Sequence, residues 1–121
     1  MDDQTKTLAE LKHFIRDFSA KRDWDQFHNA KDLSIGISNE ANELLQIFRF
    51  KNENQVDALF ADPKTRLEIQ KELADVLSFT LLLASRYDID LSSSLIDKME
   101  EVDKKYPVDK VKGINLKYHE Y

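Results

Sequence analysis

Apolar residues recur at steps of three and four along most of the chain, which is the spacing of one face of an amphipathic helix. Four stretches follow this period, and each is bounded by residues that begin or end helices. The fold class that the pattern predicts is all-α, with a four-helix bundle as the protomer. The predicted helices run from about Thr5 to Arg22, from a cap at Asn29 to about Phe50, from Pro63 to about Tyr87, and from about Asp90 to Tyr106.

The segments between these helices are polar. The stretch DWDQFHNA interrupts the period and is predicted to be a connection, and KNENQVDALFA contains one short helical turn around Val56 to Phe60. Residues 108–121 follow Pro107 and are predicted to form an extended tail that packs on its own or a partner subunit. The length of 121 residues indicates a single domain, residues 1–121.

The second half of the third predicted helix, VLSFTLLLA, is apolar on nearly every side. A helix of this kind in a soluble chain is buried by neighbours all round or by a second subunit. We therefore expect a homo-oligomer, either a dimer or a dimer of dimers (a homotetramer).

Composition narrows the class of protein. With 2 Gly and 2 Pro the chain has little material for hairpin turns or a Gly-rich nucleotide loop, so all-β and Rossmann-type folds are disfavoured. The absence of cysteine excludes a disulfide framework and, with no apolar secretory segment at the start, favours a cytoplasmic protein. No apolar run is long enough for a membrane span. A net charge of −5 argues against binding to nucleic acid.

Acidic residues three apart recur on the predicted helices, and a helical wheel separates them into two groups. Glu40 and Glu72 fall inside the apolar arcs of the second and third helices, with Glu43 and Asp75 at the edges of those arcs. The trio in the fourth helix lies opposite the apolar face and is predicted to be solvated; it comprises Asp97, Glu100 and Asp103. The inward acids alone need an explanation.

Four carboxylates that face a common interior repel one another and are poorly solvated. One alternative is that each is a buried ion pair or a carboxylate at the rim, in a noncatalytic helical interaction module. A divalent cation would also compensate them, and ligands that are all oxygen suit Mg²⁺ or Mn²⁺ rather than zinc. Because Mg²⁺ commonly links protein carboxylates to substrate phosphates, this alternative indicates phosphoryl or nucleotidyl chemistry.

Three segments together resemble the MazG-like, all-α nucleoside triphosphate pyrophosphohydrolases, near their dCTP pyrophosphatase branch: RDWDQFHNAKDLSIGISNEANELLQIF, KELADVL and DKMEEVDKKYP. The family motif is Glu-Glu-x-x-Glu followed, some tens of residues later, by Glu-x-x-Asp. Its last four acids match Glu40, Glu43, Glu72 and Asp75 in order. The chain departs from the family pattern at Asn39, which replaces the first Glu, at Gln46, and at Val102, which many members have as Asn.

The resemblance implies Mg²⁺-dependent hydrolysis of a nucleoside triphosphate between the α and β phosphates, which gives the monophosphate and pyrophosphate. A deoxynucleotide such as dCTP is the favoured substrate, and cleansing of the nucleotide pool is the expected role. The resemblance implies that the four acids hold the metal and carry catalysis. An inward carboxylate that the metal does not fully occupy could act as the general base; any of the four is a candidate, and we select Glu43. Phosphoribosyl-ATP hydrolysis on the same scaffold is an alternative.

Candidate substrate contacts surround these acids. An aromatic wall for the base is expected from Trp24 and Phe27, with His28 beside them and Phe50 and Phe79 as further aromatic candidates. Lys98 and Lys105 share one edge of the fourth helix, and they and Lys31 are candidates for phosphate binding. The alternatives are ordinary core anchors for the aromatic residues and exposed lysines with buried stems.

Overall fold

The computed structural model describes residues 1–120, and every regular element in that part of the chain is helical. Short 3₁₀ turns lie at Asp25–Phe27 and Tyr118–Glu120. This confirms the all-α class, although the helices outnumber those predicted. They are α1 (Leu8–Ala20), α2 (Ala30–Phe48), α3 (Glu53–Ala61), α4 (Pro63–Arg86), α5 (Leu91–Lys105) and α6 (Val108–Val111).

The long helices begin where capping side chains precede them. Thr7, Asn29, Asp62 and Asp90 each accept a hydrogen bond from a backbone N–H in the first turn of α1, α2, α4 and α5, respectively. These bonds satisfy donors that have no partner within the helix. The starts predicted at the Asn29 cap, at Pro63 and near Asp90 are confirmed.

Helix α3 is longer than the single turn that the sequence predicted. It covers nine residues because a capping box fixes its start: Asn52 Oδ1 accepts from the Gln55 N–H at 2.9 Å, and Gln55 Oε1 accepts from the Asn52 N–H at 2.8 Å. Near its end, the Phe60 ring stacks on Phe48 of α2 with a centroid distance of 5.8 Å. Local polar bonding and one aromatic contact therefore extend a helix whose apolar pattern is weak.

The prediction of an extended tail over residues 108–121 is wrong for two short segments. Val108–Val111 is helical, and the Pro107 carbonyl accepts hydrogen bonds from the N–H groups of Lys110 and Val111 at 3.0 and 3.2 Å. Proline ends α5 because it cannot continue that helix, yet it is well suited to precede a new one. The second segment is the 3₁₀ turn Tyr118–Glu120.

The chain forms two compact units, Met1–Asp88 and the part from Ile89 onward. In the first unit α4 is the central helix, and it packs most extensively on α2 and then on α1, with α3 in lesser contact. The second unit contains α5 and α6. The buried apolar side chains all belong to α2 and α4; they are Leu33, Ile69, Leu81, Leu82 and Ala84.

The apolar second half of α4 is only partly covered by its own chain. Leu81 and Leu82 are buried, whereas Leu77 remains 44% exposed and Leu73, one turn earlier, 52% exposed. Phe14 of α1 is 60% exposed and lines an apolar cavity together with Leu77. Within residues 1–120, no helix is both long and apolar enough to cross a bilayer.

Candidate metal centre

Helices α2 and α4 approach closely at Gly36. A Cβ at this position would lie 2.7 Å from two carbons of the Phe79 ring, so only glycine lets that ring rest directly on the α2 backbone. Glu40 follows Gly36 by four residues, and Asp75 precedes Phe79 by four, so each acid lies about one helical turn from this contact. The contact holds the acid-bearing turns of the two helices side by side.

Three of the four predicted acids converge there. Glu40 and Glu43 of α2 and Glu72 of α4 each place a carboxylate oxygen within 4.8 Å of the others. Glu40 and Glu72 are half-buried, whereas Glu43 is exposed. The Oε2 atoms of both Glu40 and Glu72 are buried and have no hydrogen-bond partner among the described residues. A buried carboxylate oxygen without a hydrogen-bond partner lowers the stability of the folded protein unless a bound group, such as a cation, contacts it.

The electrostatics of the cluster follow from this crowding. Burial raises the pKa of Glu40 to about 7, and the Glu43 carboxylate beside it adds to the effect. Burial and the charge of Glu43 also raise the pKa of Glu72. Both shifts mark a place where negative charge is disfavoured, because the carboxyls are partly buried and lie beside other acids.

Asp75 lies outside the group of three. It is exposed, and none of its oxygens belongs to the set within 4.8 Å. Its charge nevertheless contributes to the raised pKa of both Glu40 and Glu72. Asp75 therefore stands at the rim of the cluster, within electrostatic reach of it.

The cluster suits a hard divalent cation. Its donors are all carboxylate oxygens, with no histidine or cysteine among them, which is the ligand set preferred by Mg²⁺ and Mn²⁺ and not by zinc. The two orphaned oxygens, one from each helix, are the unsatisfied groups that a cation would complete. Glu43 leaves one side of the group open to solvent.

Trp24, in the connection between α1 and α2, packs on the end of α1. The Trp24 ring meets Phe18 edge to face at 5.9 Å, and the Arg22 guanidinium lies 3.6 Å above the Phe18 ring and 5.8 Å from that of Trp24. Trp24 is 45% exposed and Phe27 61% exposed. Neither ring is a fully buried core anchor, and both present a surface to solvent.

The remaining candidates of the first unit have separate surroundings. His28 has a buried Nδ1 with no hydrogen-bond partner in the described part of the chain, and this atom lies 4.0 Å from Asp25 Oδ1. Lys31 is exposed in the first turn of α2. Phe50 is 91% exposed, in the left-handed region with φ +62°, and the Arg49 guanidinium lies 4.6 Å from its ring. Phe79 is the one aromatic candidate for which the structure gives a contact next to the acid-bearing turns.

Lys98 and Lys105 lie in the second unit, on α5. Their ammonium groups are 3.5 and 3.4 Å from the two carboxylate oxygens of Glu101, and they hold the pKa of that carboxyl below its usual range. The two lysines thus share one edge of α5, as the sequence predicted, and the same acid bridges them.

Two features were not identified from the sequence. One is the contact at Gly36, although a glycine one turn before Glu40 on the same helix is a signal of close approach. The other is a set of polar contacts that ties Asp25 and Ala30 to Arg86 and Tyr87. These residues are 61 and 57 positions apart, and no local pattern joins them.

The geometry agrees with the comparisons with known proteins. The sequence model of the MazG-like family matches residues 35–121, a span that includes all four acids and the Gly36 contact. The chain belongs to the MazG-like family. Among curated relatives, dCTP pyrophosphatase 1 of Mus musculus is 35% identical over 112 residues, which cover 93% of this chain and 66% of that protein.

Other relatives of this MazG-like chain extend the comparison. The Homo sapiens dCTP pyrophosphatase 1 is 32% identical over 114 residues, which are 94% of this chain and 67% of the human protein. The chain thus spans about two thirds of the length of these relatives. Among solved structures, a pyrophosphatase from Archaeoglobus fulgidus superposes with a TM-score of 0.78 at 30% identity, covering 88% of this chain and 98% of that one.

Proposed function

We propose that this MazG-like chain is a Mg²⁺-dependent nucleoside triphosphate pyrophosphohydrolase that acts between the α and β phosphates, with dCTP or a similar deoxynucleotide as its favoured substrate. The observation that carries the proposal is the convergence of Glu40, Glu43 and Glu72, with two buried oxygens that lack partners. The pyrophosphatase relatives support the same reaction class.

Glu40 and Glu72 would hold the cation from opposite helices, with Glu43 and Asp75 at the open side. When bound, Mg²⁺ supplies positive charge for the phosphate oxygens and for the charge that develops on them during reaction. Mn²⁺ has the same ligand preference and is expected to replace it.

We place the general base at Glu43, because it is the exposed member of the three and can meet a water molecule at the open side. Its carboxylate accepts a proton as the water oxygen bonds to one phosphorus of the α–β bridge. The bond from that phosphorus to the bridging oxygen then breaks. The products are the nucleoside monophosphate and pyrophosphate, so atoms and charge balance without a further reactant.

For the base we propose a wall formed by Trp24 and Phe27 with His28, and Phe79 as a floor. Both rings of the connection are more than two fifths exposed, which leaves them able to stack on a nucleobase. Phe79 lies one turn beyond Asp75, so a nucleotide with its phosphates at the acids would meet this ring next. Roles for Lys31, Phe50, Lys98 and Lys105 in binding remain predictions from the sequence.

We also propose that the chain, as one domain, forms a cytoplasmic homo-oligomer. The support is the exposed apolar surface on α1 and α4, where Phe14, Leu73 and Leu77 are each more than two fifths exposed. Association of two copies would remove this surface from water. Multi-angle light scattering tests the assembly, and a monomer at micromolar concentration would contradict it.

Incubation of the pure protein with a panel of deoxynucleoside triphosphates and Mg²⁺, followed by product chromatography, tests the activity. The proposal predicts dCMP and pyrophosphate from dCTP, with loss of turnover in EDTA. Release of orthophosphate and a diphosphate would show a different bond specificity. Complete absence of products would favour a noncatalytic module, and turnover of phosphoribosyl-ATP alone would place the chain in a different pathway.

A further inference from the structure

The connection between α1 and α2, residues 21–29, is fastened to the end of α4. Arg86 Nη1 donates a hydrogen bond to the Asp25 carbonyl at 3.3 Å. Five residues further along the chain, the Ala30 N–H donates to the Tyr87 hydroxyl oxygen at 3.0 Å. Trp24 precedes the first of these attachments, and Phe27 and His28 lie between the two. The last helical residue of α4 and its C-cap therefore hold the segment that carries the proposed base wall.

A third link joins the same three elements. Arg16 of α1 places its Nε 3.7 Å from Asp25 Oδ2, and its Nη1 donates to Ser85 Oγ at 3.5 Å. The other backbone hydrogen bonds that the connection makes among the described residues are local. For example, the Trp24 N–H donates to the Ser19 carbonyl, and the Phe27 N–H donates to the Trp24 carbonyl. The long-range attachments thus relate the connection to α4 rather than to α1 alone.

Helix α4 carries the parts of the proposed site in order along its length. Glu72 and Asp75 come first, Phe79 follows, and Arg86 lies about 10 Å beyond Phe79 along the helix axis at the usual rise per residue. The acids thus lie near the middle of α4, whereas the connection is attached at the C-terminal end of the same helix. A change at Arg86 or Tyr87 is far from the acids but directly bonded to the segment that bears Trp24 and Phe27.

We propose that Arg86 and Tyr87 are positioning residues, which fix the 21–29 connection on α4 so that its aromatic side chains meet the nucleobase. This inference rests on the proposed function, because it assumes that the connection binds the base. Neither residue contacts the reacting phosphates in this account. When the attachment is lost, the connection spends less time in the competent position, and the apparent affinity falls by that fraction.

The variants that test this are Tyr87→Phe, which removes only the hydroxyl, and Arg86→Met, which keeps the aliphatic stem and removes the donors. Arg86→Lys restores one donor and should recover part of the loss. Arg66→Met is a matched control, because Arg66 is on the same helix and its Nη1 donates to the Phe60 carbonyl at 3.5 Å, away from the connection.

Trp24 is the single tryptophan of the chain, so its fluorescence reports on the connection directly. We expect acrylamide to quench it more strongly in Tyr87→Phe and Arg86→Met than in the wild type or in Arg66→Met. For dCTP hydrolysis we expect KM to rise about three- to tenfold, the range for one lost hydrogen bond, while kcat changes less than about twofold.

Unchanged quenching in both variants would overturn the inference, as would a fall in kcat at constant KM. The fluorescence experiment needs no nucleotide. A wild type that hydrolyses nothing would therefore contradict the proposed function alone, whereas normal KM values in active, folded variants would contradict the positioning role alone. Circular dichroism shows whether Arg86→Met folds. If it does not, the test rests on Tyr87→Phe, which keeps the aromatic ring and removes only the hydroxyl.

Discussion

Two regions of the molecule carry acidic residues at the same helical spacing but in opposite environments. On α2 and α4, Glu40 and Glu72 are half-buried, each has an orphaned oxygen, and the pKa of Glu40 is raised to about 7. On α5, Glu101 is exposed between Lys98 and Lys105, and these lysines lower its pKa. The nearby acids Asp97, Glu100 and Asp103 are exposed as well.

The helical spacing of acidic residues therefore does not by itself indicate a functional site. On the solvated face of α5, lysines three and four residues away compensate the charge of Glu101. The three acids that meet beside the glycine contact have no lysine three or four residues away on their own helices, and in the proposed function a divalent cation compensates their charge. Substitutions in one region, with the other region as the reference, test this difference.

The largest effect is expected from Glu40→Gln, which keeps the shape of the side chain and removes its charge. Even groups behind the ligands of a metal site cost about 10- to 100-fold in activity, so loss of a ligand should lower kcat/KM for dCTP by more than about 100-fold. Initial-rate assays with saturating Mg²⁺ measure this.

The matched reference for that variant is Glu100→Gln on α5, which should retain wild-type turnover because its carboxylate is exposed and outside the cluster. Equal losses in the two variants would mean that the regions do not differ as described, and retained activity in Glu40→Gln would remove Glu40 from the site.

A second, smaller effect is expected from Gly36→Ala. The added methyl group would meet the Phe79 ring at 2.7 Å, so the ring or the helices must move. Overpacking of this kind costs about 1–3 kcal/mol, against a gain of about 1 kcal/mol from helix propensity, which leaves a modest net loss of stability. Urea denaturation measures it, and Gly36→Ala combined with Phe79→Leu should recover the loss. A stabilised single variant would show that the contact is not tight.

A third effect is the pH dependence of the stability of the metal-free protein. Because burial raises the pKa of Glu40 from 4.5 to about 7, the folded state binds this proton more tightly than the unfolded chain does. The free energy of unfolding should therefore fall as pH rises from 4.5 to about 7 and then level off. Thermal melts in EDTA should show this fall, reduced in Glu40→Gln.

The contribution of Glu101 to the free energy of unfolding should change with pH in the opposite direction. Its lowered pKa gives a stabilisation that is present above its usual value and lost as the pH falls through the lowered one. Glu101→Gln should therefore leave the fall between 4.5 and 7 intact. An equal fall in Glu40→Gln and the wild type would assign the effect to another group.

Much of the fold was predictable because it is local. The cap at Asn29, the proline at position 63 and the apolar period placed the long helices within a few residues of their observed ends. Helix α3 was underestimated because its start depends on a reciprocal bond between Asn52 and Gln55, which apolar periodicity does not register.

The site was predictable in part for the same reason. Two inward acids on each of two helices predicted a shared interior, and Glu40, Glu43 and Glu72 meet there. The exposed place of Asp75 depends on the exact rotation of α4 against α2, which the Gly36 contact sets. The attachment of Asp25 to Arg86 joins residues distant in sequence, and it emerges only after the helices pack.

Titration calorimetry of Mg²⁺ into the metal-free protein, at a pH above the value of about 7 for Glu40, tests the central claim most directly. If the carboxylates on α2 and α4 hold the cation, Mg²⁺ should bind saturably to the wild type and to Glu100→Gln, and this binding should be lost in Glu40→Gln. Equal binding in all three proteins, or none in the wild type, would contradict the assignment of the α2–α4 carboxylates as a metal centre.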